Sequence, residues 1–150
     1  MNHCDHDEYP SSYYLLLSHA FSVCSTSLGV EDGTIPDNQI TASSTFISTE
    51  NAHHFPSRAR LNSIPDGPFY VGGWRAEFNN LNQWIQVDFG ASKLVSAIVL
   101  QGRQDLLQYV TQYKVQCSNN GNTWYVVKNA FDDEDTVRSL HFCLISWGCY

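Results

Sequence analysis

Hydrophobic and polar positions alternate most cleanly over 82–90, Asn-Gln-Trp-Ile-Gln-Val-Asp-Phe-Gly. Ile85, Val87 and Phe89 share one parity, Gln86 and Asp88 the other, with Trp84 leading in. Side chains of a strand point alternately to opposite faces, so this spacing predicts a half-buried β-strand that stops at Gly90. Leu94 to Leu100 follows as a nearly continuous apolar run and predicts a second, buried core strand. Alternation returns at Gln112 to Ser118, with Tyr113, Val115 and Cys117 against Lys114 and Gln116. Asn119-Asn120-Gly121-Asn122 then supplies Asn-Gly, a strong hairpin signal, with Trp124 to Val127 as the returning strand. Val137 to Trp147 is apolar and fits one last strand. Gln39 to Ser44 fits an edge strand or a helical turn.

Turns separate these runs. Glu31-Asp32-Gly33, Ile35-Pro36-Asp37-Asn38 and Pro65-Asp66-Gly67-Pro68 have the residue types that reverse a chain. No internal repeat is visible. Short strands recurring between turns predict an all-β sandwich or barrel. Two longer loops stand out. Thr45 to Arg58 holds Phe46, Ile47, His53, His54 and Phe55; Gln101 to Val110 holds Arg103, Asp105, Leu106, Leu107 and Tyr109. Long loops in compact domains tend to be functional, yet Phe46 and Phe55 could equally fold back into the core.

Composition narrows the class. A chain of 150 residues is one domain by default. Hydrophobic residues make up 43% and charged residues 15%, which is a globular balance poor in charge for a cytosolic enzyme. The net charge of −7 leaves no global basic footprint for nucleic acid. Residues 1–23 read as an irregular tail and a poor signal peptide, with Asp5, Asp7 and Glu8 where a basic region belongs. The His and Cys of Met1 to Asp7 are expected to be incidental rather than a metal site.

Candidate chemistry is sparse. Gly-x-Ser-x-Gly, His-Glu-x-x-His, a Walker loop and Gly-x-Gly-x-x-Gly are all missing from the sequence. His53-His54 is an adjacent pair, unlike the i,i+4 spacing of a helical metal face. Asp132-Asp133-Glu134-Asp135 offers the hard oxygen ligands calcium takes, but without the EF-hand alternation, so a solvated acidic loop is expected and no cofactor. Five cysteines, Cys4, Cys24, Cys117, Cys143 and Cys149, show no C-x-x-C spacing. Their wide spacing suits an extracellular module with one or two bridges.

Several separated motifs occur in one order. They are Cys24, Leu28-Gly29, Asp32-Gly33, Ile35 to Ser44, Ala59-Arg60-Leu61-Asn62, Trp74, Gln83 to Gly90, Gln101-Gly102-Arg103, Val110 to Val115, and Ser118 to Gly121 with Trp124. In these the chain resembles the discoidin domain, also called the coagulation factor V/VIII C-type domain. The resemblance covers Cys24 to about Asn129, within a domain placed at 24–150, and the family's two closing strands are not recognisable after it. It implies a galactose-binding-like β-sandwich, a distorted jelly-roll barrel, incomplete at its C-terminus if those strands are missing. It also implies a bridge from Cys24 to Cys149. Cys117 stands where relatives have an aromatic strand residue, so it is expected to stay reduced and pack as a small apolar group.

The resemblance also implies a site. Family members bind glycans, collagen, protein receptors or phospholipid through loops at one end of the barrel. By motif match the loops here are Thr45 to Arg58, Ile64 to Pro68 and Gln101 to Tyr109. Phe46, Ile47, Phe55, Leu106 and Leu107 would be apolar tips; His53, His54, Arg103, Asp105 and Tyr109 would be polar ones. The expectation is a non-enzymatic extracellular recognition or cell-adhesion module, secreted or at the cell surface and part of a larger protein. It would bind a cell-surface glycan or an extracellular protein. The alternatives are a peripheral phospholipid binder or a carbohydrate-binding accessory domain of an enzyme.

Overall fold

The computed structural model describes residues 27–48, 53–95 and 97–127, and the backbone of Arg138–Trp147. Strands β1 (Ile40–Ala42), β2 (Gln83–Val95), β3 (Tyr113–Ser118), β4 (Tyr125–Val126) and β5 (Arg138–Trp147) form a five-stranded sheet in the order β1-β2-β5-β3-β4. Every pairing is antiparallel. Two 3-10 turns, Asp37–Gln39 and Pro56–Ala59, are the only helical pieces among the described residues. The protein is all-β. Asp37–Gln39 runs directly into β1, so of the two forms expected for Gln39 to Ser44 the edge strand is the one that occurs, over Ile40–Ala42.

The alternation of β2 places Gln83, Ile85 and Phe89 in the interior, with Val87 packed beside them. Ile35, Ile40, Ile85, Phe89 and Cys117 make the buried cluster, and Trp74, Val95 and Val115 lean on it. β5 lies between β2 and β3. It pairs Ile85 with Ile145 on one side and Val115 with Ile145 on the other. The last apolar segment is therefore a central strand.

Gly90 does not stop β2. It takes φ +68°, donates its N–H to the Asp88 carboxylate at 2.8 Å, and bends the strand. Residues 89–92 stand against residue 141 alone, a bulge that resets the register between Asp88 and Lys93. The expected buried strand at Leu94 to Leu100 is corrected by this bend. Only Leu94 and Val95 belong to β2, Leu94 is 55% exposed, and 97–100 is not strand. An unbroken apolar run has no period, so it cannot show which residues a sheet will bury.

The hairpin forms as its sequence predicts. Ser118 Oγ accepts the N–H groups of Asn120 (3.2 Å) and Gly121 (2.9 Å). The Asn120 side chain accepts those of Asn122 and Thr123, both at 2.9 Å.

The expectation of a reduced Cys117 is overturned, because Cys117 is disulfide-bonded. It is 2% exposed, and the register of β3 on β5 sets Cys143 directly opposite. Opposed residues of an antiparallel pair have Cα atoms about 4.5–5.5 Å apart, inside disulfide range. The two cysteines become neighbours only once β5 inserts beside β3, which local pattern does not show. Cys24, Cys149, the tail at 1–23 and Asp132 to Asp135 lie outside the described residues.

Candidate functional site

The first loop is anchored at its start by Gln83, which has the same parity as Ile85 yet is polar and buried. Its Oε1 accepts from Ser43 Oγ (2.8 Å) and Ser44 Oγ (2.6 Å), and its Nε2 donates to Asn80 Oδ1 (2.8 Å). A buried amide is tolerated only when so satisfied. Trp74 Nε1 then donates to Ser44 O at 3.1 Å, and Phe46 N to Arg75 O at 2.9 Å, which joins this loop to 74–75.

A backbone bridge closes the first loop on itself, Ile47 with His53, and another ties it to the chain just after the second loop, His53 with Tyr70. The His53 ring stacks on Phe55, with centroids 4.9 Å apart and planes 6° apart, and Tyr70 tilts against both. His53 Nδ1 is buried and has no hydrogen-bond partner among the described residues. Arg58 straps the second loop from below, donating Nε–H to Val71 O at 2.8 Å and Nη2–H to Ile64 O.

His54 departs from its expected place. It is 5% exposed and acts as a wedge, not a tip. Nδ1 lies 3.2 Å from Gly73 O, and Phe46 meets the ring edge-on at 5.6 Å. Burial disfavours the charged imidazolium, and the Arg103 guanidinium adds to this, so the pKa lies below the usual histidine value.

The third loop folds on itself. Arg103 holds Asp105 through two bonds of 2.6 and 2.7 Å and reaches Gln108 Oε1 at 3.2 Å. This guanidinium holds the Asp105 carboxyl below its usual pKa. The loop rests on 72–73. A Cβ at Gly72 would come within 2.9 Å of Ser63 O and 3.5 Å of Asp105 Oδ1, so only glycine fits where these segments meet. Gly73 in turn faces Arg103. The strut 72–73 thus touches all three loops.

The ten sequence-predicted residues divide accordingly. His54 is buried, Phe46 is half-buried beneath the Arg75 guanidinium at 3.9 Å, and Arg103 is turned inward onto Asp105. His53 sits half-buried in the aromatic stack, and Asp105 is occupied by Arg103. Ile47, Phe55, Leu106, Leu107 and Tyr109 are exposed. Pattern reading missed Ile64 of the second loop, and Phe69 and Tyr70 just after it, as exposed apolar groups. It also missed Gln83 and Arg58 as organisers; the parity of Gln83 with Ile85 was the available signal.

Among the described residues no cluster of three or more His, Cys, Asp or Glu could hold a metal ion. No described helix is long and apolar enough to cross a membrane.

A β-sheet module carrying three interlocked loops at one place is the class of protein defined here. The F5/8 type C domain matches residues 39–142, and the chain belongs to that family. It is 41% identical over 105 residues to lactadherin of Rattus norvegicus, covering 69% of this chain and 24% of that protein. It is 47% identical over 103 residues to coagulation factor V of Mus musculus, covering 67% of this chain and 4% of that protein. With the human EGF-like repeat and discoidin I-like domain-containing protein 3, from Homo sapiens, identity is 39% over 132 residues, covering 85% of this chain and 26% of that protein. The chain thus spans about a quarter or less of these relatives. Among solved structures, discoidin II from Dictyostelium discoideum superposes with a TM-score of 0.45 at 19% identity, over 73% of this chain and 48% of that one.

Proposed function

We propose that the chain is a non-catalytic extracellular recognition module whose three-loop end docks on a phospholipid surface. One observation carries this reading. Of the five polar candidates, His53, His54, Arg103 and Asp105 are buried, stacked or paired with each other, and the side chains the loops present outward are Ile47, Phe55, Leu106 and Leu107 with the ring of Tyr109. Leu106 and Leu107 are adjacent and 51% and 68% exposed. Exposed apolar groups gathered on interlocked loops mark an interaction surface. A disulfide-bonded Cys117 supports an oxidising, extracellular setting.

Attraction to anionic lipid grows with nearby bases, and here they are few. Arg58, Arg60 and Arg103 bind carbonyls or carboxylates of the chain itself, and Arg75 lies over Phe46. Burial of apolar tips is therefore the driving term. Co-sedimentation with phosphatidylcholine vesicles, with and without phosphatidylserine, tests this. Binding to both, with a weak salt dependence, is expected. Recovery of all the protein in the supernatant refutes it. A protein ligand is the second reading, favoured by exposed Phe55, Tyr70 and Tyr109, because aromatic side chains are enriched at protein interfaces.

A further inference from the structure

The turn joining β3 to β4 holds a reactive pair. Asn120-Gly121 is the one Asn-Gly step in the sequence. Glycine has no side chain to shield its backbone nitrogen, so that nitrogen can approach the preceding side-chain amide closely. Gly121 takes φ +70°, Asn120 is exposed to water, and Ser118 lies beneath them at 0% exposure.

Three donors converge on one oxygen of this turn. Asn120 Oδ1 accepts the N–H groups of Asn122 and Thr123, both at 2.9 Å, and the Ser118 hydroxyl at 3.2 Å. An oxyanion hole is built the same way, with fixed donors aimed at a carbonyl oxygen whose charge grows as its carbon is attacked. The same serine holds the attacker. Ser118 Oγ accepts the N–H of Gly121 at 2.9 Å and that of Asn120 at 3.2 Å, so both its lone pairs and its proton are engaged. The N–H bond lies in the peptide plane, whereas the electrons that attack lie above and below it. The bond to Ser118 therefore does not block the approach.

We propose that Asn120 is a site of self-catalysed deamidation, with Ser118 as its proton relay. Gly121 N attacks Asn120 Cγ. The Gly121 proton passes to Ser118 Oγ as the Ser118 proton passes to Asn120 Oδ1, so the tetrahedral adduct forms without net charge. Collapse of the adduct re-forms the carbonyl and breaks the Cγ–Nδ2 bond. The hydroxyl proton leaves with that nitrogen as ammonia, and a succinimide remains. Water then opens either of its carbonyls from Gly121 N, which leaves an aspartyl or an isoaspartyl residue. The net change is amide and water to acid and ammonia, with no oxidant or reductant. No charged residue lies between Lys114 and Lys128, so the product places a negative charge at the tip of an uncharged turn. The isoaspartyl form also lengthens the main chain where the turn sets Gln116 against Val126 and Cys117 against Tyr125.

The test is incubation of the full chain in warm neutral buffer. Peptide mapping by mass spectrometry reads the change from amide to acid, and an isoaspartyl methyltransferase labels the isomer. A synthetic peptide of residues 115–127 gives the rate without the fold. The folded chain is expected to convert at Asn120 at least about tenfold faster than the peptide, short of the roughly hundredfold or more that positioned proton transfer contributes in enzymes. Ser118→Ala is expected to remove that advantage. The peptide reacts through its amide anion, so its rate should be first order in hydroxide. The relay needs no prior ionisation, so the folded chain's rate should depend more weakly on pH, which a merely structural Ser118 would not bring about. Conversion no faster than in the peptide overturns the proposal, as does a Ser118→Ala chain that keeps the advantage. If Ser118→Ala unfolds, the parent's pH profile decides, and one as steep as the peptide's overturns the relay.

Discussion

The sheet and the loop end are built on opposite plans. In the sheet, apolar side chains face in: Ile40, Ile85, Phe89 and Cys117 are buried, and β2, β5 and β3 supply backbone bonds around them. In the loop end the polar groups face in. Gln83, His54, Arg58 and Arg103 bind carbonyls and side chains, and the apolar residues are left outside. Loops lack the ladder that pairs a strand's backbone, so their carbonyls need other donors, and long polar side chains provide them. The outward apolar tips are then free for a ligand.

The contrast is tested most severely in the sheet. Ile85→Ala should cost about 2–5 kcal/mol, because it removes buried methyl groups from the core cluster of Ile35, Ile40, Phe89 and Cys117. Urea unfolding gives the number. A cost below about 0.5 kcal/mol, typical of surface positions, would remove the distinction between core and loop.

Replacing the anchor of the loop end should do less. Gln83→Leu keeps the volume but removes the acceptor shared by Ser43 and Ser44, whose hydroxyls solvent can reach, so the lost bonds should cost about 0.5–1.5 kcal/mol each at most. Proteolysis within the first loop should rise in step. If Gln83→Leu is as stable as the parent, the loop end does not depend on inward polar contacts.

The sheet was far more legible in the sequence than the loop end, for a physical reason. Period-two alternation reports burial directly, so Ile85, Val87 and Phe89 were readable, as was the Asn120-Gly121 hairpin. Where a local pattern had two solutions, reading failed: Gly90 marked a bend instead of an end, and Leu94 to Leu100 was not a core strand. Long-range facts failed as well. The bond at Cys117 depends on where β5 inserts, and the burial of His54 depends on Gly73 and Arg103, remote in sequence. Loop residues have no period, so His54 and Leu107 looked alike as tips, and only packing on 72–73 separates them.

Acid should loosen the loop end selectively. The pKa of His54 is lowered, chiefly by burial and then by Arg103, so the fold prefers the neutral ring. The stabilisation this represents is full above the ordinary histidine value of about 6.5 and is lost as pH falls through the lower folded value. Arg75 also opposes the charged ring, while Gly73 O and Asp105 favour it. Hydrogen exchange at 69–75 should therefore rise on acidification from neutral pH, with β2 and β3 little changed. In His54→Gln, which can still donate to Gly73 O, the pH dependence should vanish. If it persists there, another group is titrating.

The smallest effect on stability is expected at the tips, where the effect on binding should be largest. Leu106 and Leu107 are mostly solvated already, so the Leu106→Ser/Leu107→Ser variant should unfold within about 0.5 kcal/mol of the parent. Full burial of a leucine side chain contributes about 1.5–3 kcal/mol, so losing even one inserted side chain should weaken vesicle binding by about tenfold or more. Co-sedimentation beside urea unfolding reads both quantities on one preparation. A variant that unfolds early would show that these leucines support the fold, and the loop end would then follow the same plan as the sheet. A variant that is fully stable and binds vesicles as the parent does would place the docking surface on other residues.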